Sequence, residues 1–411
     1  MRVCVVGSGG REHALADVLA RTTEVVCTPG NPGIADVAEC VAGPPEAVDA
    51  DLYVVGPEAP LVDGLADRLR AAGRVVFGPG ADGARLEGSK AWMKEVLVAA
   101  GVPTARHAAF GPEDTRAALA YLDALPAPWV VKTDGLAAGK GVLVTMDRDE
   151  ARADVLAKLD GSAFGDAGRR VVIEEGLVGP EVSVLAVCDG TRAVALPAAR
   201  DYKRVGDGDQ GPNTGGMGAH SPVPGVGGDV VTEVMERAVG PTLAALRAKG
   251  VDFRGVLYAG LMLTPDGMRV LEYNVRFGDP EAEVVLPRVD DDLAGWLRAA
   301  ALGGLPADAG PAVSADAWLT VIMAAEGYPT APVPGARIGG VESAASLAGV
   351  RVYHAGTALD ADGNLTVAGG RVLAVCGRGA DLAEARARAY GGVDRISFEG
   401  AVARRDIGGG S

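Results

Sequence analysis

The sequence predicts a multidomain protein of the α/β and α+β classes: an N-terminal parallel α/β sheet domain, a larger central domain and a small C-terminal β-rich domain. Three observations predict it. Residues 1–88 alternate short, continuous apolar runs with helix-like periodicity, the pattern of an open parallel sheet. Beyond them, paired apolar runs flank glycine-rich turns and read as antiparallel hairpins. The chain has 411 residues, more than a single core usually organises. Boundaries are expected at 1–88, 89–302 and 311–411, with residues 303–310 as a linker.

Residues 3–6, 25–28, 52–55 and 74–77 are apolar and read as buried strands, each ended by glycine or proline. Residues 12–20 and 61–72 read as helices between them. The 42–51 connection is short and holds two prolines, so a loop or single turn is expected rather than a crossover helix. Residues 89–100 form a helix stopped by Gly101 and Pro103. Runs 129–132 and 142–145 form a hairpin, followed by strands at 171–174 and 182–187. A long amphipathic helix covers 230–248, and a second hairpin joins 256–263 to 268–274 across Thr264-Pro-Asp-Gly267. Residues 290–301 are helical. Strands at 317–324, 350–353 and 371–376 with a helix at 380–389 make the last domain.

The formal charge of −15 argues against nucleic acid or anionic membrane as a partner, since both select clustered Lys and Arg. Cys4, Cys27, Cys40, Cys188 and Cys376 show no CxxC spacing and sit mostly in apolar runs, which excludes a disulfide scaffold or zinc ribbon. No apolar run spans a bilayer, and the chain enters a strand directly without a signal-peptide pattern, so a cytoplasmic location is expected.

Five motifs carry chemistry. Gly7-Ser-Gly-Gly-Arg-Glu-His13 follows the first strand at a helix start, where backbone N–H groups and the helix dipole attract anions. A dinucleotide fingerprint needs glycine at position 12; Glu12 stands there, which leaves a phosphate or sugar phosphate as the better ligand. In Val130-Val-Lys-Thr-Asp-Gly-Leu-Ala-Ala-Gly-Lys-Gly-Val142 a strand lysine, Lys132, precedes glycines that let backbone close over phosphates. The spacing is not that of a Walker loop.

Val172-Ile-Glu-Glu-Gly-Leu-Val-Gly-Pro-Glu181 places carboxylates at a strand end, acceptors suited to adenine and ribose but unspecific alone. In Leu271-Glu-Tyr-Asn-Val-Arg-Phe-Gly-Asp-Pro-Glu281, Glu272 and Asn274 share a strand face and are hard oxygen ligands suited to Mg²⁺. Arg276 continues that register and could hold a transferring phosphoryl group. The long segment from Arg200-Asp-Tyr-Lys-Arg to Gly211-Pro-Asn-Thr-Gly-Gly-Met-Gly218 could wrap a small substrate.

Taken together the motifs resemble the ATP-grasp superfamily, and within it the phosphoribosylamine–glycine ligase family. Gly9-Gly-Arg-Glu-His-Ala14, Gly56-Pro-Glu-Ala-Pro-Leu61, Leu86-Glu-Gly-Ser-Lys90, Asp134 to Gly141, Gly211 to Gly218 and Arg276 to Glu281 all look like that family's stretches. So do His354-Ala-Gly-Thr357, Gly369-Gly-Arg371 and Arg405-Asp-Ile-Gly408. The resemblance implies a central ATP-grasp domain with a mobile glycine-rich lid at about 107–178. It implies ATP as co-substrate, Mg²⁺ or Mn²⁺ as cofactor, and glycine and 5-phosphoribosylamine as the small molecules joined in purine biosynthesis. A monomer or homodimer is expected.

Carried over by residue, Lys132 and Arg276 are the catalytic candidates. Lys90, Lys132, Gly135, Gly139, Lys140 and Gly141 would meet ATP phosphates. Glu174, Glu175 and Leu177 would face adenine, and Glu181 the ribose. Gly10, Arg11, Glu58, Asp279 and Arg371 would hold phosphoribosylamine, and Asn213, Thr214, Gly215 and Gly216 would lie near glycine. Glu272 and Asn274 would bind the metal. Three departures stand out: Tyr202 where the family usually has His, Thr133 where it usually has Ala, and a short stretch between the second and third strands. The alternatives are an ATP-grasp ligase for another acid or amine, and a non-catalytic nucleotide-binding protein; the second has no need for a metal strand and a phosphoryl clamp together.

Overall fold

The computed structural model describes residues 1–136, 141–163, 169–307 and 309–409. Five parallel strands open it: β1 (Arg2–Gly7), β2 (Glu24–Pro29), β3 (Glu39–Cys40), β4 (Leu52–Val55) and β5 (Val76–Phe77). Their spatial order is β3-β2-β1-β4-β5, so the winding reverses between β1 and β4. The turns after those two strands therefore flank the crevice where open parallel sheets bind ligands. Alternate residues of β1 feed different cores. Val3 and Val5 pack with Leu15, Leu293 and Trp318, while Cys4 and Val6 pack with Tyr53, Leu257 and Tyr273. Both faces are covered, which is why the strand reads as a continuous apolar run.

Helices α1 (Gly10–Leu19), α2 (Glu58–Val62), α3 (Leu65–Ala71), α4 (Ala81–Gly88) and α5 (Lys90–Ala99) accompany this sheet. Residues 61–72, expected as one helix, belong to two. Gly64 adopts φ +77°, a left-handed conformation that stops α2 and turns the chain into α3. Residues 42–51 carry only a single 3-10 turn, Pro45–Ala47, as their prolines predict. The edge strand β3 is two residues long, too short to show any periodicity. Ser89 caps α5 by accepting from Trp92 N at 3.1 Å.

The lid region is an antiparallel sheet of β6 (His107–Phe110), β7 (Trp129–Thr133), β8 (Val142–Thr145) and β9 (Val171–Glu175), ordered β6-β9-β7-β8. Helices Thr115–Ala124 and Arg148–Leu159, which the sequence reading passes over together with β6, cover it. Leu122, Trp129, Val131, Val155 and Ile173 give it a small core separate from the others. The central sheet contains β10 (Glu181–Asp189) and β11 (Ala193–Ala195). The long segment that follows is not free loop: it forms β12 (Arg200–Asp201), β13 (Arg204–Gly206), β14 (Gln210–Asn213) and β15 (Gly218–Ser221). The expected hairpin is β16 (Arg254–Thr264) with β17 (Gly267–Asn274), and the sheet order is β11-β10-β16-β17. The long helix expected at 230–248 runs over 228–248, with a π turn at Met235–Val239. Pro241 just beyond it has no N–H to close an ordinary helical turn.

The last domain contains β18 (Ala317–Ala324), β19 (Val350–His354), β20 (Thr357–Leu359), β21 (Leu365–Val367) and β22 (Arg371–Gly379), backed by helix Leu382–Val393. Its sheet is ordered β12-β15-β18-β22-β19. Two of its strands thus come from the 200–221 segment, which stitches that segment to the C-terminal domain. All five cysteines are free thiols, and among the described residues no helix is long and apolar enough to cross a membrane.

Candidate active site

Two adjoining cavities of about 430 and 390 Å³ lie where the N-terminal crevice, the lid hairpin and the β16–β17 hairpin meet. Val142, Asp201, Lys203, Thr214 and Glu272 line both.

The β1–α1 turn is built around Glu12. Its carboxylate reaches back to accept from Gly9 N at 2.5 Å and pairs with Arg11 at 2.7 Å. A Cβ on Gly56 would sit 2.1 Å from Glu12 Oε1, so the turn after β4 needs glycine to approach so closely. Glu12 therefore fills the turn and fixes Arg11, which lines the first cavity. Arg11 in turn lies 3.3 Å from Glu58. Burial alone would raise the Glu58 carboxyl, but Arg276 and Arg11 outweigh it and hold its pKa at about 2.

Behind the second cavity sits a buried triad. Glu174 on β9 pairs through Oε1 with Lys132 on β7 and through Oε2 with Lys94 on α5, each at 3.0 Å. Lys94 also donates to Thr104 Oγ1 at 2.7 Å. Burial pushes the Lys94 ammonium down to about 8, with Glu174 opposing; the two lysines overcome burial and keep Glu174 below its ordinary value. Lys132 further donates to the Leu271 carbonyl at 3.1 Å. That carbonyl lies at a bulge, because the β16–β17 register slips between Gly260/Leu261.

Beyond the bulge Glu272 and Asn274 both line the first cavity, on one face as expected. Lys90 sits 3.1 Å from Glu272 and, ahead of the opposing burial, keeps it ionised well below the usual carboxylate range. β17 ends at Asn274, so Arg276 does not continue the strand register. Its guanidinium is bridged by Glu58 at 3.1 Å and buried Glu87 at 2.7 Å. On the far wall, Arg371 pairs with Asp279 at 3.0 Å and donates to the Gly215 carbonyl at 2.7 Å.

The structure thus gathers Arg11, Glu58, Lys90, Gly135 and Gly141 with Glu272, Asn274 and Arg276 around the first cavity, closed by Thr214, Gly215, Asp279 and Arg371. Lys132, Glu174, Glu175, Leu177, Glu181 and Asn213 line the second. Gly10 and Gly216 support the walls without lining them: a Cβ on Gly10 would meet Glu283 Oε1 at 2.6 Å, and one on Gly216 would meet Pro280 at 2.4 Å. Gly139 and Lys140 lie outside the described residues. Glu175 is tied to Arg106 at 2.6 Å on the rim.

Sequence reasoning missed Glu87, Lys94, Asp201, Lys203 and Tyr258. Lys203 lies 3.4 Å from Asp201 and 3.5 Å from Glu181. Burial raises Asp201 to about 7, against the pull of Lys203 and with Glu281 and Glu181 adding to it. Lys203 lies in the two-residue break between β12 and β13, so no strand periodicity in the sequence pairs it with Asp201. Tyr202 lines the second cavity and its hydroxyl accepts from Gly408 N at 3.0 Å, so the departure from His ties this segment to the C-terminal residues. Thr133 lines the first cavity, and its buried hydroxyl has no hydrogen-bond partner among the described residues.

The donor set fits a divalent metal brought with a nucleotide. Among the described residues no cluster of three or more His, Cys, Asp or Glu could hold a metal alone. One carboxylate and one amide oxygen lining an open cavity instead suit Mg²⁺-type binding, in which substrate phosphates and water would complete the shell.

A lid hairpin with a strand lysine, a two-cavity cleft and a Glu-x-Asn strand define an ATP-grasp ligase, an enzyme class that uses ATP with a divalent metal. Residues 1–87, 88–282 and 318–410 match the N domain, the ATP-grasp (A) domain and the C domain of phosphoribosylglycinamide synthetase. The chain belongs to that family. It is 48% identical over 421 residues to the phosphoribosylamine–glycine ligase of Caulobacter vibrioides, covering 99% of this chain and 98% of that protein. It is 49% identical over 424 residues to the Streptomyces coelicolor protein of the same name, at 99% and 98% coverage. The crystal structure of phosphoribosylamine–glycine ligase from Thermotoga maritima superposes with a TM-score of 0.87 at 36% identity, over 99% of this chain and 100% of that one. A biotin carboxylase from Campylobacter jejuni, at 14% identity and a TM-score of 0.71 over 98% and 92%, shares the fold.

Proposed function

We propose that this ligase joins glycine to 5-phosphoribosylamine, converting ATP to ADP and phosphate and yielding glycinamide ribonucleotide in de novo purine biosynthesis. The observation that carries the reading is the junction of the two cavities at Glu272. One cavity, of about 390 Å³, is lined by Lys132, Glu174, Leu177 and Glu181, and the other joins the Glu272–Asn274 pair to the Arg11, Glu58 and Arg371 end.

In this reading ATP occupies the second cavity, with adenine against Glu174, Glu175 and Leu177, ribose at Glu181 and phosphates at Lys132 and Lys90. Glu272 and Asn274 would hold the divalent ion, Mg²⁺ or Mn²⁺, which would supply charge neutralisation to the phosphates. A glycine carboxylate oxygen attacks the γ-phosphorus, and the bond to the β-phosphate oxygen breaks to release ADP. Arg276, freed from Glu58 and Glu87 as phosphate enters, stabilises the transferring group. The resulting glycyl phosphate gives the carbonyl a leaving group. The neutral amine of phosphoribosylamine attacks it, phosphate departs and the amine loses a proton. Arg11 and Arg371 offset the charge of the sugar phosphate. The β7–β8 hairpin, which lines the first cavity through Thr133 and Val142, would keep water from the acyl phosphate.

The test is ADP release from purified protein with Mg²⁺. Release should require both glycine and phosphoribosylamine. Release with a different acid–amine pair and none with this one would refute the assignment.

A further inference from the structure

We infer that Glu281 is the residue that recognises the α-ammonium group of the amino-acid substrate; this rests on the reading above of the first cavity as the acceptor site. Six carboxylates line that cavity: Glu58, Glu87, Asp201, Glu272, Asp279 and Glu281. Five already have a cation. Glu58 and Glu87 hold Arg276 at 3.1 and 2.7 Å, Asp201 holds Lys203 at 3.4 Å, Glu272 holds Lys90 at 3.1 Å and Asp279 holds Arg371 at 3.0 Å. Glu281 has no cationic partner among the described residues, although only 3% of it is exposed. A buried carboxylate facing a cavity without a counter-charge is costly unless a ligand supplies one.

Its surroundings orient it rather than neutralise it. Tyr258 Oη donates to Glu281 Oε1 at 2.7 Å, and Ser183 Oγ lies 3.3 Å from the same oxygen and 2.8 Å from Tyr258 Oη. Oε2 accepts no hydrogen bond among the described residues and lies against Gly278, where a Cβ would stand 2.3 Å from it. One oxygen is therefore fixed by neutral hydroxyls and the other is left to accept.

The position suits a short zwitterion. Tyr258 pairs directly with Asn274 across the ladder, so the hydroxyl that holds Glu281 stands beside the strand carrying Glu272 and Asn274. An amino acid whose carboxylate meets the nucleotide phosphate there presents its ammonium group to Glu281. The amine of phosphoribosylamine is a weaker candidate for this charge, because it must be neutral to attack. With Glu281 occupied by an ammonium group, every carboxylate of the cavity is paired.

The experiment is steady-state kinetics of Glu281→Gln against wild type, with glycine and with glycolate, in which a hydroxyl replaces the ammonium group. Loss of a charge-assisted hydrogen bond should raise the KM for glycine about 10- to 100-fold and reduce the preference for glycine over glycolate by a similar factor. The KM for ATP should stay unchanged. An unchanged glycine KM would overturn the inference; if kcat alone fell, Glu281 would instead act in removing the amine proton. If Glu281→Gln fails to fold, Tyr258→Phe keeps the carboxylate and removes its anchor, and should raise the glycine KM by a smaller factor. A folded Tyr258→Phe with wild-type glycine KM would also overturn it. Wild-type protein that shows no glycine dependence would instead refute the substrate assignment itself.

Discussion

Replacing Lys94 by methionine should destabilise the central domain by about 3–5 kcal/mol, the usual cost of removing one partner from a buried ion pair. The structure supports the upper part of that range. The side chains of Lys94 and Glu174 are 1% and 2% exposed, and the pair is 3.0 Å apart. Methionine fills much of the same volume, so cavity formation adds little. It leaves Glu174 Oε2 buried without its donor, and Thr104 Oγ1, which itself donates to the Val270 carbonyl at 2.6 Å, loses the ammonium at 2.7 Å. For a unit the size of residues 89–302 this corresponds to a fall in melting temperature of about 6–20 °C. Differential scanning calorimetry of wild type and variant measures it. Acid unfolding supplies a second readout. Glu174 titrates below its ordinary value in the folded protein, so its stabilising contribution is complete above the unfolded pKa and lost as pH falls through the folded one. Losing Lys94 shrinks that contribution, and the acid transition should move to higher pH. A melting temperature within a degree or two of wild type would refute the view that this triad holds the lid sheet to α5.

Glu272→Ala should abolish ADP release while sparing the circular dichroism spectrum, and a chelator should do the same to wild type until Mg²⁺ or Mn²⁺ is restored; near-wild-type turnover by the variant would remove Glu272 as a ligand. Asp201, raised to about 7, binds its proton more tightly when folded, so it costs stability as pH rises from about 4 through 7. Asp201→Asn should therefore gain stability relative to wild type across that window in denaturant titrations, whereas parallel pH curves would contradict the assignment. Gly56→Ala, with its new Cβ 2.1 Å from Glu12 Oε1, should cost about 1–3 kcal/mol in chemical unfolding and weaken sugar-phosphate binding; a neutral effect would show that Glu12 can move aside.

Much of the fold was legible because its strands are buried on both faces and its turns are marked by glycine and proline. The first parallel strands, the two hairpins and the C-terminal strands appear where the apolar runs place them. What escaped was short or weakly patterned. β3 has two residues, β6 is half-exposed, and the Ala-rich lid helix Thr115–Ala124 buries only Ala118 and Leu122. The break at Gly64 escaped because its apolar spacing continues through the glycine on either side. Candidate residues that line the cavities were legible where a motif is local: Lys132 before its glycine loop, and Glu272 with Asn274 two apart on a strand. Glu87, Lys94 and Tyr258 were not, because nothing in their own segments distinguishes them from ordinary helix or strand residues.

By itself the sequence determined the order of the domains and the parallel and antiparallel character of their sheets, and it marked the candidate residues for phosphate and metal. These follow from local periodicity and short motifs, which the chain carries within a few residues. Tertiary structure alone decided which charges are spoken for. The pairing of Arg276 with Glu58 and Glu87, of Glu174 with Lys94 and Lys132, and of Arg371 with Asp279 joins residues from 42 to 218 positions apart. Coulombic balance in a desolvated cavity depends on distance in space, and no spacing along the chain encodes it. That balance is what leaves Glu281 without a counter-charge among the described residues.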